Sequence, residues 1–367
     1  WRASLGALAT TDGAKLVAVG AQLALIAFIA GWYQIESPAF ATSVVPFMAL
    51  TFVIHHLVPK ARRLTLFVAI SLVSYVLVLG AANAAWITVI VLAFLGICHL
   101  PVSLNARLAL LLAAAFALAF LRVSPAMTPF SGAIWPILGS ILMFRLIMYW
   151  YDLKHARKPI PATWSLAYFF MVPNVAFPLF PVVDFSTMQR THYDQEPFRI
   201  YQRGLEWVMR GLVHLLLYRL VYQYLMIAPE EVADGTKLVR YMLATFLMYL
   251  RVSGTFHVIV GALHLYGFRL PETHRLFYLS TSISDFWRRI NIYWKDFMQK
   301  VVFLPVYFPL RKRGETLALV VGTIVVFFIT WATHAYQWFW LRGEGLWSAT
   351  DALFWAILGV LLIGNSL

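Results

Sequence analysis

Long uninterrupted apolar runs alternate with short polar stretches along the whole chain, and a helix needs roughly 20 apolar residues to cross the hydrocarbon core of a bilayer. The pattern predicts spans over residues 15–33, 40–57, 64–82, 84–100, 108–121 and 130–151, and later over 207–227, 238–266, 317–341 and 346–363. The run 108–121 is short and draws on its flanks. One stretch resists the pattern. Within 164–183, Pro173, Pro178 and Pro181 fall inside nine residues, and each removes a backbone donor that a regular helix needs. No repeat and no flexible linker is visible. The expectation is an all-α polytopic membrane protein of about ten transmembrane helices plus one broken segment, integrated as a single membrane unit.

Composition agrees. Charged residues make up 12% of the 367 positions and hydrophobic residues 61%, where a soluble domain carries about a quarter charged. A soluble enzyme and a disordered chain are both excluded, and the single Cys98 excludes an internal disulfide. The net charge of +13 sits in short clusters between apolar runs: Lys60/Arg62/Arg63, Lys154/Arg157/Lys158, Arg288/Arg289 and Arg311/Lys312/Arg313. That placement is the positive-inside bias of cytoplasmic loops, not a nucleic-acid surface, so no nucleic-acid partner is expected. The first two clusters are separated by four spans and share the cytoplasmic side, with Arg2, Lys15 and the N-terminus. Were 164–183 to cross fully, Arg190, Arg199 and Arg203 would fall outside and Glu230, Glu231 and Asp234 inside, against the bias. A re-entrant path puts every cluster on its expected side, and it requires protein or a wet cavity to satisfy the freed backbone groups. The chain opens at Trp1 without an initiator methionine and closes at Leu367 in an apolar run, so a longer parent polypeptide is expected.

Ionisable groups at membrane depth are costly unless they face a cavity or a partner, which makes them the first candidates for chemistry. His334 stands in an aromatic run between Trp331 and Trp338, eight residues before Arg342, or about 12 Å below the outer interface at helical rise. It can serve as a general base or bond a neighbouring helix. A second constellation reads Ser-Ile-Ser-Asp-Phe-Trp-Arg-Arg-Ile-Asn over 282–291, followed by Trp294 and Lys295. Its arginines either anchor an interfacial helix or present guanidinium forks to Asp285 or to an anionic donor, with Asn291 facing inward. His214 and Arg219, and Arg251 and His257, favour structural pairing. His55 and His56 read as interface residues, and neither they nor Cys98/His99 make a metal site. Gly132 and Gly139 flank Pro136, which fits close packing and a kink. No phosphate loop, dinucleotide fingerprint or nucleophile elbow is present.

The 282–291 segment closely resembles the signature of the membrane-bound O-acyltransferase (MBOAT) family, in which Ser-x-Ser-Asp-Phe-Trp-Arg-Arg-Trp is followed by His or Asn. Some forty residues later the family places a near-invariant histidine on a tryptophan-rich apolar helix, where His334 stands. The broken stretch 168–190, with Pro173-Asn174 and Pro181 to Asp184, resembles the family's re-entrant segment. Ile290 replaces a tryptophan common in bacterial members, Asn291 stands where their polysaccharide-acetylating members usually carry histidine, and Ala335 follows the histidine where many have glycine. The resemblance covers about 140–345, giving N-terminal helices over 1–139, an MBOAT-like core and a C-terminal helix over 346–367.

The resemblance implies a bacterial member in the cytoplasmic (inner) membrane, with a tunnel through the bilayer narrowed at the histidine. The reaction it implies moves an acyl group from acyl-CoA or an acyl carrier protein to a hydroxyl of a lipid or cell-envelope glycan. His334 and Asn291 would be catalytic. Arg288, Arg289, Trp287 and Lys295 would bind the donor, and Trp331, Trp338, Asp285 and Ser284 would line the tunnel. No metal or bound cofactor is implied. Membrane lipids and an accessory subunit complete the expected partners. The rival readings are a transporter or flippase, though the broken segment has no counterpart in the first half, and a non-catalytic scaffold on the same fold.

Overall fold

The computed structural model describes residues 12–35, 38, 40–156, 158–177, 179–345 and 347–366. The readings placed on Arg2, Arg157 and Pro178 lie outside the described residues. The described chain is helical throughout, with one isolated antiparallel bridge between His192 and Phe268. Among the described residues seven helices are long and apolar enough to cross a membrane: Asp12–Trp32, Phe40–Leu57, Lys60–Leu79, Ala81–His99, Leu104–Val123, Gly235–Leu265 and Glu315–Arg342. The chain is a multi-pass helical protein.

Three of the ten predicted spans are absent from those seven, each for a visible reason. The 130–151 run is divided into the helix Trp135–Ser140, a π turn at Ile141–Arg145 and the helix Leu146–His155. The 207–227 run belongs to the helix Pro197–Leu220, which carries Arg199, Arg203, Glu206, Arg210 and Arg219 and is amphipathic rather than uniformly apolar. The last run forms the apolar helix Ala349–Asn365, a shorter element. The proline-rich stretch is broken as expected: the helix Ala162–Phe169 ends, and a 3-10 turn follows at Val172–Val175.

The chain divides into two compact units. The first comprises Trp1–Ser74, Met171–Phe180 and Met188–Thr273. Its centre is the antiparallel pair Pro197–Leu220 and Leu250–Leu265. Gly204 and Gly211 on one helix and Gly254 and Gly261 on the other are each seven residues apart, two turns, so both glycines of each helix share one face. Gly204 meets Gly261 and Gly211 meets Gly254. A Cβ on Gly211 would stand 2.6 Å from the Gly254 carbonyl oxygen, and one on Gly261 2.6 Å from that of Gly204. Nothing larger than hydrogen fits, so the two backbones touch, the close approach that small residues permit between membrane helices.

Rings meet edge to face along this seam: His264 and Trp207 at 4.8 Å, Trp207 and His257 at 6.3 Å, and His257 and His214 at 5.5 Å. His214 Nδ1 lies 3.0 Å from the Ser253 hydroxyl, and Arg251 stacks on Tyr218, so the polar groups of these helices do serve packing. Arg219 donates to the carbonyls of Tyr33 and Gln34. His55 closes the end of its helix from inside the protein. It is fully buried, its Nε2 lies 3.1 Å from the Arg63 carbonyl, and the Arg63 guanidinium turns back onto the Val58 and His56 carbonyls at 2.9 and 2.5 Å. The helix end is thus closed by the loop that follows it.

The second unit comprises Tyr75–Phe170, Pro181–Thr187 and His274–Leu367. Here the buried Arg145 donates 3.0 Å to the Phe169 carbonyl, at the end where Ala162–Phe169 stops, and Tyr168 donates 2.7 Å to the Val183 carbonyl. Side chains thus supply the partners that the interrupted helix lacks. Lys300 bridges Asp152 and Asp184 at 2.7 and 2.6 Å. Burial opposes the charge on Asp184, but hydrogen bonds from Lys300, Ser186 and Thr187 outweigh it and hold the carboxyl below its ordinary range. Gly139 is required by packing, since a Cβ there would fall 2.5 Å from that of Trp340, whereas Gly132 faces open space. Pro136 sits in the first turn of its helix, where proline costs nothing; the irregularity follows at the π turn instead.

Candidate functional site

The signature segment folds as two short helices, and its residue order follows from how they begin. Ser282 caps the helix Ile283–Arg289 by accepting from the Asp285 N–H at 3.1 Å, while Asp285 reaches back to the Thr281 N–H at 3.3 Å. This is close to a capping box, with serine at the cap and a carboxylate three residues on. Asp285 also pairs with Arg289 at 2.9 Å and Arg288 at 3.8 Å, one turn along. Hydrogen bonding from Arg289 holds the Asp285 carboxyl below its usual range. The helix ends at Ile290, and Asn291 takes the left-handed conformation (φ 40°) that asparagine tolerates better than most residues. Its Oδ1 then accepts from the Trp294 N–H at 3.2 Å and caps the helix Ile292–Met298.

Trp294 joins this corner to the histidine. Its indole Nε1 donates 3.3 Å to the Thr330 hydroxyl, and its ring stands edge-on to His334 at 5.5 Å. The Thr330 carbonyl lies 2.8 Å from His334 Nδ1. A carbonyl only accepts, so Nδ1 carries a proton, and in the neutral imidazole the lone pair is then on Nε2. Nε2 has no hydrogen-bond partner among the described residues, and it is not sealed from a small probe. Trp355 from the C-terminal helix also meets the ring, tilted, at 4.8 Å.

Beside these rings an apolar groove of about 340 Å³ runs between the helices Glu315–Arg342 and Ala349–Ser366, lined by Phe327, Phe328, Trp331, Trp355, Gly359 and Ile363 among others. Trp287 reaches its wall through Phe327, ring to ring at 4.8 Å. Ser284 offers its N–H to Asn365 at 3.0 Å, which docks the signature helix on the C-terminal one.

The expected residues therefore divide. His334, Asn291, Trp287 and Trp331 converge around the Trp294–Thr330 link and the groove. Arg289 is held by Asp285, Lys295 pairs with Asp296 at 2.8 Å, and Arg288, 69% exposed, is the loosest cation of the set. Trp338 lies under the Arg342 guanidinium at 4.3 Å, near the helix end. Sequence reasoning missed Trp355 and Thr330. Thr330 sits one turn before His334 and was legible by spacing; Trp355 lies on another helix, and no local pattern marks it. Among the described residues no group of three or more metal-ligating side chains gathers. No family model and no curated protein matches the chain.

Proposed function

We propose that the protein is a membrane-embedded O-acyltransferase that moves an acyl group from a thioester to a hydroxyl of a lipid or cell-envelope glycan. The reading includes about ten spans with one re-entrant segment, a tunnel to His334, a bacterial inner membrane and a cytoplasmic N-terminus. Its main support is the placement of His334: an imidazole on an apolar helix long enough to cross a membrane, with Nδ1 tied to the Thr330 carbonyl and Nε2 without a hydrogen-bond partner among the described residues.

In this mechanism the acceptor oxygen attacks the thioester carbonyl as Nε2 takes its proton. The tetrahedral intermediate collapses, the carbon–sulfur bond breaks, and the departing thiolate receives that proton from the imidazolium. General base catalysis of this kind contributes typically about 10²–10⁴-fold. Asn291 spends its Oδ1 on the cap, which leaves its amide N–H groups to donate to the developing oxyanion, where one donor is worth about 3 kcal/mol in a dry site. The groove beside Trp331 and Trp355 suits the acyl chain, and Arg288 suits a donor phosphate. The donor is acyl-CoA or an acyl carrier protein, and an accessory subunit would deliver or receive material at the tunnel mouth.

The test compares lipid and glycan mass spectra of cells carrying the parent or His334→Ala. The expected result is an acylated species absent from the mutant, with unchanged elution and melting of the purified protein. Equal product from both ends the assignment of the base.

A further inference from the structure

A polar cavity in the first unit, about 510 Å³, is lined by Gln195, Arg199, Arg203, Trp207, Arg210, His264 and Arg269, with Leu270, Pro271 and Glu272 closing it. Four arginines and one carboxylate, Glu272, line it, and Asp194 and Glu206 each pair with one of those arginines. The spacing that builds it is the spacing of the glycine seam. Arg203 and Arg210 precede Gly204 and Gly211 by one residue each, and Arg199 lies one turn before Arg203, so three cations share a face beside the helix contact.

Most of the arginines have a carboxylate on one edge only. Arg269 holds Asp194 with both nitrogens at 2.5–3.1 Å, Arg210 holds Glu272 at 2.5 Å, and Arg203 holds Glu206 at 3.1 Å. A guanidinium has five N–H donors, so these pairs do not exhaust them. Hydrogen bonds from Arg269 keep Asp194 below its ordinary range, and the same contact raises Arg269, so that pair stays charged at neutral pH. The Arg199 side chain has no partner among the described residues. Trp207, only 6% exposed, has an indole N–H that is likewise unpartnered and not sealed. A purely structural ion-pair cluster would close upon itself. This one keeps an open volume and two spare donors.

We propose that this cavity binds a phosphate group, as a phosphate monoester or diphosphate, held by Arg199 and the free edges of Arg203, Arg210 and Arg269 with the Trp207 N–H. Several convergent forks suit phosphate, which has three acceptor oxygens and up to two charges, whereas one fork satisfies a carboxylate. The phosphate belongs either to a soluble diphosphate or to a lipid headgroup. The site stands apart from the acyl-transfer reading, since none of its residues was used there.

The experiment has two arms, both on the full chain. Inorganic pyrophosphate is titrated into protein in neutral detergent, and melting is compared in phosphatidylcholine nanodiscs with and without phosphatidic acid. Saturable pyrophosphate binding, weakened about tenfold or more in Arg199→Gln and unchanged in Arg311→Gln, identifies a soluble ligand. Stabilisation by phosphatidic acid alone, lost in Arg199→Gln, identifies a lipid headgroup. Trp207→Phe keeps the ring and removes the N–H, and weakens the same arm severalfold. Elution and melting without ligand report on folding of each variant. The proposal fails if neither probe binds, or if Arg199→Gln and Trp207→Phe match the parent in both arms.

Discussion

The two units organise their polar groups by opposite means. In the first, four glycines remove side chains so that backbones touch, and arginines, histidines and a tryptophan gather along the flank of that contact. In the second, bulk does the work: Trp294, Trp355 and Thr330 surround His334 and fix one ring nitrogen while leaving the other free. The glycine seam tolerates almost no added volume and many changes of charge. The aromatic site should tolerate the reverse.

The largest expected effect tests that contrast directly. Gly211→Leu must place a branched side chain where a Cβ already meets Gly254 at 2.6 Å, and overpacking against backbone has no cheap relief. Loss of monodisperse folded protein on size exclusion is expected, whereas Gly20→Ala, which meets nothing within 4 Å, should elute as the parent does. A folded Gly211→Leu protein of ordinary stability would remove the backbone contact from the account.

Next in size is a pH effect in the first unit. Burial, and then the Arg63 charge, lowers the His192 pKa from 6.5 to about 4. Below pH 6.5 the unfolded chain binds a proton that the folded chain refuses, so stability is complete above that value and is lost as pH falls toward 4. The shift corresponds to at most about 3 kcal/mol. His192→Gln should flatten this part of the melting profile between pH 6.5 and 4, and an equally steep profile in the variant would assign the effect elsewhere.

The smallest effect belongs to the aromatic site. Trp294→Phe keeps a ring against His334 but loses the 3.3 Å bond to Thr330. Acyl transfer should fall severalfold in kcat with KM little changed and with melting within about 1 kcal/mol of the parent, as expected for one neutral hydrogen bond. A matching loss in stability would make Trp294 a packing residue only.

Much of this was legible in the residues. Apolar run length located seven helices, and Ser282, Asp285 and Asn291 announced their own capping roles once the helix boundaries were known. The three runs outside those seven show the limit of a hydropathy profile, which cannot see a π turn or tell a lipid-facing run from an amphipathic helix packed by one face. Gly204, Gly211, Gly254 and Gly261 were visible as two seven-residue spacings, yet glycine contributes almost nothing to a hydropathy profile. Arg199 and Arg203 were read only as markers of sidedness. Their shared cavity depends on Arg269, brought close by a second helix and its following loop. Trp355 is the same case for His334.

The seam and the arginines beside it are written in one rhythm, Arg203 and Gly204 recurring as Arg210 and Gly211. Inserting a single amino acid between positions 204 and 211 would turn everything downstream by about 100°. It would part the touching backbones and swing Arg210 away from its neighbours in the same stroke. Point changes can retune the cavity one charge at a time; shifts of reading along that helix must destroy docking and recognition together.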